Sequence, residues 1–163
     1  MNRICLSVVR LMLCGAVLAS ASFARADDEE VLKQNAVLVK ENRETALGIL
    51  KALGVPTSPA MPTGGTTLEN NHVLFCMNQY AFKAIAAKVG AKPVTTVPST
   101  GGLLEQNHTI LMQNREIMTS IAEKLEIKLD APAELTGSLA EKNHQLLTAN
   151  KATLAKVVAA MKK

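Results

Sequence analysis

The chain has 163 residues, a formal net charge of +4 and only 2% aromatic residues. It has no basic stripe with interleaved aromatic residues, which is the pattern typical of nucleic-acid binding, so nucleic acid is not an expected partner. The scarcity of aromatic residues also predicts a core built from Leu, Ile, Val, Met and Ala.

The first 26 residues are predicted to be a cleavable secretory signal. Arginines lie before and beside an apolar run at 11–21, and a small-residue pattern, Ala-Arg-Ala, follows at 24–26. The run is too short to span a membrane. Removing the signal leaves 15 basic residues against 14 acidic ones. We therefore expect residues 27–163 to form a periplasmic or secreted domain without a membrane span.

The remaining chain is predicted to contain four tandem repeats, each with one helix. The repeats have a spacing of 36 residues, and the predicted helices cover 31–54, 67–90, 103–126 and 139–162. All six prolines fall in the linkers between them, where a missing amide donor does no damage. Capping boxes are predicted at Thr66 with Glu69 and at Ser138 with Glu141. Glycines at 54 and 90 are expected to end the first two helices.

Heptad spacing of apolar residues in each repeat predicts an all-α four-helix bundle. The apolar stripe occupies the a and g positions and part of the d positions, which is wider than the seam of a two-stranded coiled coil. The helix directions stay open at this stage. Base rates favour antiparallel neighbours with short loops, whereas equal linkers favour parallel helices. A linker of about 12 extended residues reaches ~40 Å, enough to return along a helix of ~36 Å.

Two asparagines interrupt the apolar stripe in every repeat, both at d positions. A buried asparagine in a helical seam usually sets register or oligomeric state. Eight are more than register selection requires, so the amides are expected either to bond one another or to line a hydrated cavity or ligand site. The first layer is Asn35, Asn71, Asn107 and Asn143, and the second is Asn42, Asn78, Asn114 and Asn150.

The apolar-x-x-Asn pattern resembles the asparagine layers of trimeric bacterial surface coiled coils. This resemblance covers two heptads of each repeat and implies an anion or another small polar guest between the amides. The chain departs from that pattern because it supplies four helices joined by proline-containing linkers.

Histidine follows the first asparagine in three repeats, and a sulfur-containing residue follows two of these histidines one helical turn later. Imidazole and soft sulfur are ligands for copper, zinc or nickel. In a parallel bundle the histidines would share one level and could form a metal site, whereas in an antiparallel bundle they would not meet. The other interpretation is a seam histidine bonded to a neighbouring asparagine or backbone carbonyl. The candidate ligands are His72, His108, His144, Cys76 and Met112.

Catalysis is not expected, because general acid or base chemistry needs a poised group in a cleft and the carboxylates lie at exposed heptad positions. The sequence therefore predicts an exported, non-enzymatic binding or scaffolding protein of the cell envelope. Its partner is an unidentified protein or a small polar guest, and self-association stays open. The alternative is a periplasmic protein that binds copper, zinc or nickel. Cys76 is the only cysteine after the signal, so it has no intramolecular disulfide partner there.

Overall fold

The structure is a computed structural model that describes residues 26–58 and 61–162. These residues form four helices, and the described part of the chain contains no strand. The predicted all-α four-helix bundle is confirmed. The predicted signal peptide lies outside the described residues, except for its last residue. The helices are α1 (Ala26–Ala52), α2 (Thr67–Val89), α3 (Leu103–Lys124) and α4 (Leu139–Ala160).

The start of α1 differs from the prediction. The helix begins at Ala26 and not at residue 31, so the acidic run at 27–30 belongs to its first turns. Negative charge is favourable there because the helix dipole is positive at the N-terminus. Glu29 also pairs with Lys33 one turn later, at 3.2 Å. The predicted bounds of the other three helices agree with the structure to within two residues.

The local signals at the helix ends are confirmed. Both predicted capping boxes form, at Thr66 and Ser138. The first three helices end in the same way, with a left-handed residue followed by a hydrogen bond back to the last turn. Gly54 and Gly90 supply the left-handed residue after α1 and α2, and Glu126 takes this conformation after α3, with φ 56°.

The four helices form a ring in which each helix packs against two neighbours. Contacts join α1 with α2, α2 with α3, α3 with α4, and α4 with α1. In the part of the chain that the structure describes, no Cα atoms of diagonally opposite helices lie within 8 Å of each other. We call each of the four contacts between neighbouring helices a seam.

All four helices point in the same direction, which resolves the question that the sequence left open; for α3, Asn107 lies beside His72 of α2 and Asn114, one heptad later, donates to the carbonyl of Phe75. At the α4/α1 seam, the amide nitrogen of Asn35 donates to the carbonyl of Ala140 at 3.1 Å. One heptad later in both helices, Asn42 donates to the carbonyl of Leu147 at 3.0 Å. The two positions advance together, as only parallel helices allow. The α1/α2 seam repeats this with Asn71 on Leu32 and Asn78 on Val39.

Parallel helices require every linker to return along the bundle. Linker 1 covers 53–66, linker 2 covers 90–102 and linker 3 covers 125–138. In linker 2, the carbonyl of Lys92 accepts from Ser120 near the end of α3, at 2.7 Å. The carbonyl of Val97 accepts from Gln113 two turns earlier in α3, at 2.8 Å. Linker 2 therefore runs antiparallel to the helices, in an extended form.

The core alternates polar and apolar levels along the bundle axis. The first asparagine layer is followed by a small apolar cluster around Phe75 and Leu147. The second layer separates this from a larger cluster around Phe82, Ile121 and Val157. Every asparagine in the two layers is at most 2% exposed, so the amides need partners inside the protein.

Candidate functional site: the asparagine layers and the histidine seams

One asparagine and one histidine join neighbouring helices at the α4/α1 seam. The Nδ2 of Asn35 donates to the carbonyl of Ala140. The Oδ1 of Asn35 lies 3.0 Å from Nδ1 of His144. Because an amide oxygen only accepts, Nδ1 of His144 carries the proton, and Nε2 is the acceptor in the neutral ring. Both ends of the buried amide are therefore bonded to α4.

The same imidazole–amide bond forms at two further seams. His72 in α2 lies 2.7 Å from the Oδ1 of Asn107 in α3. His108 in α3 lies 2.9 Å from the Oδ1 of Asn143 in α4. Each histidine thus contacts the first-layer asparagine of the next helix. Three of the four seams are joined in this way.

The α1/α2 seam has a gap at the equivalent position. Ala36 stands where the other repeats carry histidine. The Nδ2 of Asn71 still donates to the carbonyl of Leu32, at 3.0 Å. Its Oδ1 has no hydrogen-bond partner among the described residues. This oxygen is unpaired because the first repeat has alanine, and not histidine, at position 36.

The three His–Asn bonds test whether the histidines come together as the predicted metal site requires. The helices are parallel and the histidines share a level, as that hypothesis required. Each imidazole nevertheless lies in a separate seam, with Nδ1 bonded to an asparagine, so the three rings do not converge. In residues 26–58 and 61–162, no group of three or more His, Cys, Asp or Glu side chains is placed to hold a metal ion. The seam histidine bonded to a neighbouring asparagine is the arrangement that the structure contains.

Cys76 is the predicted sulfur ligand that does meet its histidine. Its Sγ lies 3.9 Å from Nε2 of His72, whose Nδ1 is occupied by Asn107. Burial raises the pKa of the Cys76 thiol, which keeps it protonated at neutral pH. The corresponding Met112, one turn after His108, is 38% exposed.

The second asparagine layer has bonds from amide nitrogens to backbone carbonyls, but no histidine of the described residues bonds its amide oxygens. Asn42, Asn78 and Asn114 donate Nδ2 to backbone carbonyls of the preceding helix, at 3.0–3.3 Å. The Oδ1 atoms of these three residues, and Nδ2 of Asn150, have no hydrogen-bond partner in the described part of the chain. Three amides of this layer therefore bond backbone and not one another, and a bound anion or polar guest here stays a prediction.

The side chains that hold the linkers were not predicted from the sequence. Arg43 donates Nη2 to the carbonyl of Ser58 in linker 1, at 2.9 Å, and is only 4% exposed. Burial lowers the pKa of this guanidinium. Gln113 and Ser120, which hold linker 2, are each 7% exposed. Their signal in the sequence is a polar residue at c and e, the two heptad positions that flank the core.

Comparison with known proteins found no match among protein-family models, curated proteins or solved structures. None of the helices in the described residues has the length and apolar character needed to cross a membrane.

Proposed function

We propose that this chain is an exported, non-enzymatic helical-repeat protein that binds or scaffolds partners in the cell envelope. One observation carries the proposal: the His–Asn pairs, which are the groups best suited to chemistry, are bonded to one another across the seams. A histidine that is bonded between two helices has a structural role. It is poorly placed for proton transfer, because a general acid or base must reach the substrate. Binding would then use the outer surface of the bundle.

The outer surface offers four equivalent positions for testing this proposal. The f position in the middle of each helix is exposed, on the side of the helix opposite to its buried asparagines. A photo-reactive residue placed there leaves the core intact. The four positions serve as controls for one another because they differ only in which face of the bundle they occupy. They are Glu44, Tyr80, Glu116 and Ala152.

The experiment is photo-crosslinking in the source cells, followed by fractionation. We expect the protein in the envelope or exported fraction, with a discrete adduct from one or two of the four faces. Retention in the cytosol, or the absence of an adduct from all four positions, would contradict the proposal. Adducts of equal intensity from every face would indicate non-specific encounter and would also count against it.

A metal-binding function is the second candidate, and the His72–Cys76 pair is the observation that favours it. Nε2 of His72 faces Sγ of Cys76, and Asn107 orients the ring through Nδ1, as a carbonyl or carboxylate does for many metal-ligating histidines. Copper, zinc or nickel would be measured by elemental analysis of protein purified without chelator. His72→Ala and Cys76→Ser should both lose the metal, whereas His144→Ala, which has no neighbouring sulfur, should retain it. Metal-free wild-type protein would rule this function out.

A further inference from the structure

The α4/α1 seam is the one seam along which no described linker runs. The chain passes from α1 to α2, α3 and α4 through linkers 1, 2 and 3, and each linker is bonded to helices that it joins. Repeat-equivalent positions can therefore be compared between covered and uncovered seams. Such positions differ by multiples of the 36-residue repeat.

The equivalent positions differ in burial. Arg43 at the α1/α2 seam is 4% exposed, whereas the side chain of the equivalent Lys151 at the α4/α1 seam is 52% exposed. Gln113 under linker 2 is 7% exposed, and the side chain of its equivalent, Glu41, is 43% exposed. Linkers 1 and 2 thus bury, at their own seams, positions whose equivalents at the α4/α1 seam are accessible.

Gly48 shows that the α4/α1 seam also has free space where the equivalent residues of other seams contact a linker. It is equivalent to Ser120, which binds the backbone of linker 2, and to Lys156, which binds the backbone of linker 3. Gly48 is exposed, and a Cβ atom built there would meet no atom of residues 26–58 and 61–162 within 4 Å. The α4/α1 seam is therefore open where the other seams are filled by extended chain.

An ion pair crosses the open seam where a linker would lie. Nζ of Lys151 is 2.8 Å from Oε2 of Glu41. Both side chains are about half exposed, and pairs of this kind are worth only ~0–1 kcal/mol, so an incoming segment can separate them at little cost. Nearer the N-termini, the seam widens into a cleft of about 270 Å³ that is lined in part by Gln34 and His144.

We infer that the α4/α1 seam is a docking groove for an extended, proline-containing segment of a partner protein. This inference rests on the proposed binding function and names its surface and ligand class. The hydrogen bonds that hold the linkers are accepted mainly by linker carbonyls, as Val97 and Lys92 show. Proline lacks an amide hydrogen but keeps its carbonyl, so such contacts accept proline-containing segments. Lys151 is placed as Arg43 is for donating to a carbonyl, and Glu41 is then available for a basic residue of the segment.

The probe is a synthetic peptide of linker 2, residues 91–102, labelled and titrated into the full chain. A graft variant, Glu41→Gln with Gly48→Ser, gives α1 the two side chains by which α3 holds this linker. A blocking variant, Gly48→Trp, fills the groove. Glu44→Trp places the same bulky residue at an exposed f position of α1 and is the matched control.

We expect the graft to bind the peptide about tenfold more tightly than the wild type, a difference of ~1.4 kcal/mol. The blocking variant should bind about tenfold more weakly, and the control should match the wild type. A second peptide with Val97→Lys, which places a basic residue level with Glu41, should bind the wild type better than the first peptide does.

Absence of binding to both wild type and graft at millimolar peptide would overturn the inference. Equal affinity of the Gly48→Trp and Glu44→Trp variants would overturn it as well. Concentration-dependent self-association that only Gly48→Trp removes would assign the groove to a second copy and not to a partner. A discrete photo-crosslink from one or two of the f positions would still support the proposed function in each case, so failure of the groove is distinguishable from failure of that function.

Discussion

Replacing Ala36 with histidine should complete the ring of imidazole–amide bonds and stabilise the protein. Asn71 is 1% exposed and its Oδ1 has no hydrogen-bond partner among the described residues. In the three other repeats a histidine occupies the position of Ala36 and bonds the corresponding oxygen at 2.7–3.0 Å. The new side chain therefore enters a geometry that the protein already uses three times.

The expected gain is the difference between one favourable and two unfavourable contributions. A buried acceptor without a partner costs ~1–3 kcal/mol, so satisfying the Asn71 oxygen recovers about 2 kcal/mol. Exchanging alanine for histidine in a helix costs about 0.5 kcal/mol, and ordering the imidazole costs about 0.5 kcal/mol more. The free energy of unfolding should rise by about 1 kcal/mol, which corresponds to a melting temperature about 3–5 °C higher.

The measurement is denaturant unfolding of the protein in a double-mutant cycle. Ala36→His is combined with Asn71→Leu, and the coupling between them should be about 1 kcal/mol or more. Ala36→Phe fills similar space without a donor and should give no gain. The reverse change, His72→Ala, recreates the gap at another seam by leaving Asn107 unpaired and should cost ~1–2 kcal/mol.

Two outcomes would refute this reasoning. If Ala36→Phe stabilises as much as Ala36→His, the effect is packing and not a hydrogen bond. If the coupling with Asn71 is close to zero, the imidazole does not reach the amide. Either result would also weaken the claim that the three native histidines act as bridges between helices.

Three further predictions concern a helix end, a cap and the thiol. Glu126→Gly should raise the free energy of unfolding by ~0.5 kcal/mol, because glycine adopts the left-handed conformation without the side-chain penalty; Glu126→Ala should not, and an equal gain from both would contradict this account. Gly102→Ser should add a few tenths of a kcal/mol in denaturant melts by capping α3 as Ser138 caps α4. Cys76 should react with iodoacetamide at pH 8 about tenfold more slowly in the folded than in the unfolded protein, because burial raises the thiol pKa and depletes the thiolate; equal rates would contradict it.

Local signals account for the accuracy with which the helices were predicted. The hydroxyls of Thr66 and Ser138 accept from backbone amides three residues later, and Gly90 adopts the left-handed conformation that ends α2. Such contacts involve residues close in the chain, so the pattern alone reveals them. The exception is the start of α1. Acidic residues are favourable both just before a helix and within its first turn, so the acidic run at 27–30 did not reveal where the helix begins.

The candidate site was predicted in composition but not in arrangement. The register placed all eight asparagines in the core, and each is at most 2% exposed. It also placed His72, His108 and His144 beside them, but it left open whether these histidines meet one another or an asparagine. That choice depends on the rotation of each helix toward its neighbour, and no residue-by-residue pattern contains this information.

The sequence by itself determined four helices and, except for the start of α1, their extent, together with a core with two polar layers and the position at which one repeat lacks its histidine. Only the tertiary structure decided that the helices are parallel, that the imidazoles bridge separate seams and that one seam stays uncovered. The physical reason is that periodicity and capping act within one helix, whereas direction and pairing depend on contacts between helices. Linkers long enough to return along the bundle allow either direction, so the packing and hydrogen bonds at the seams make the selection.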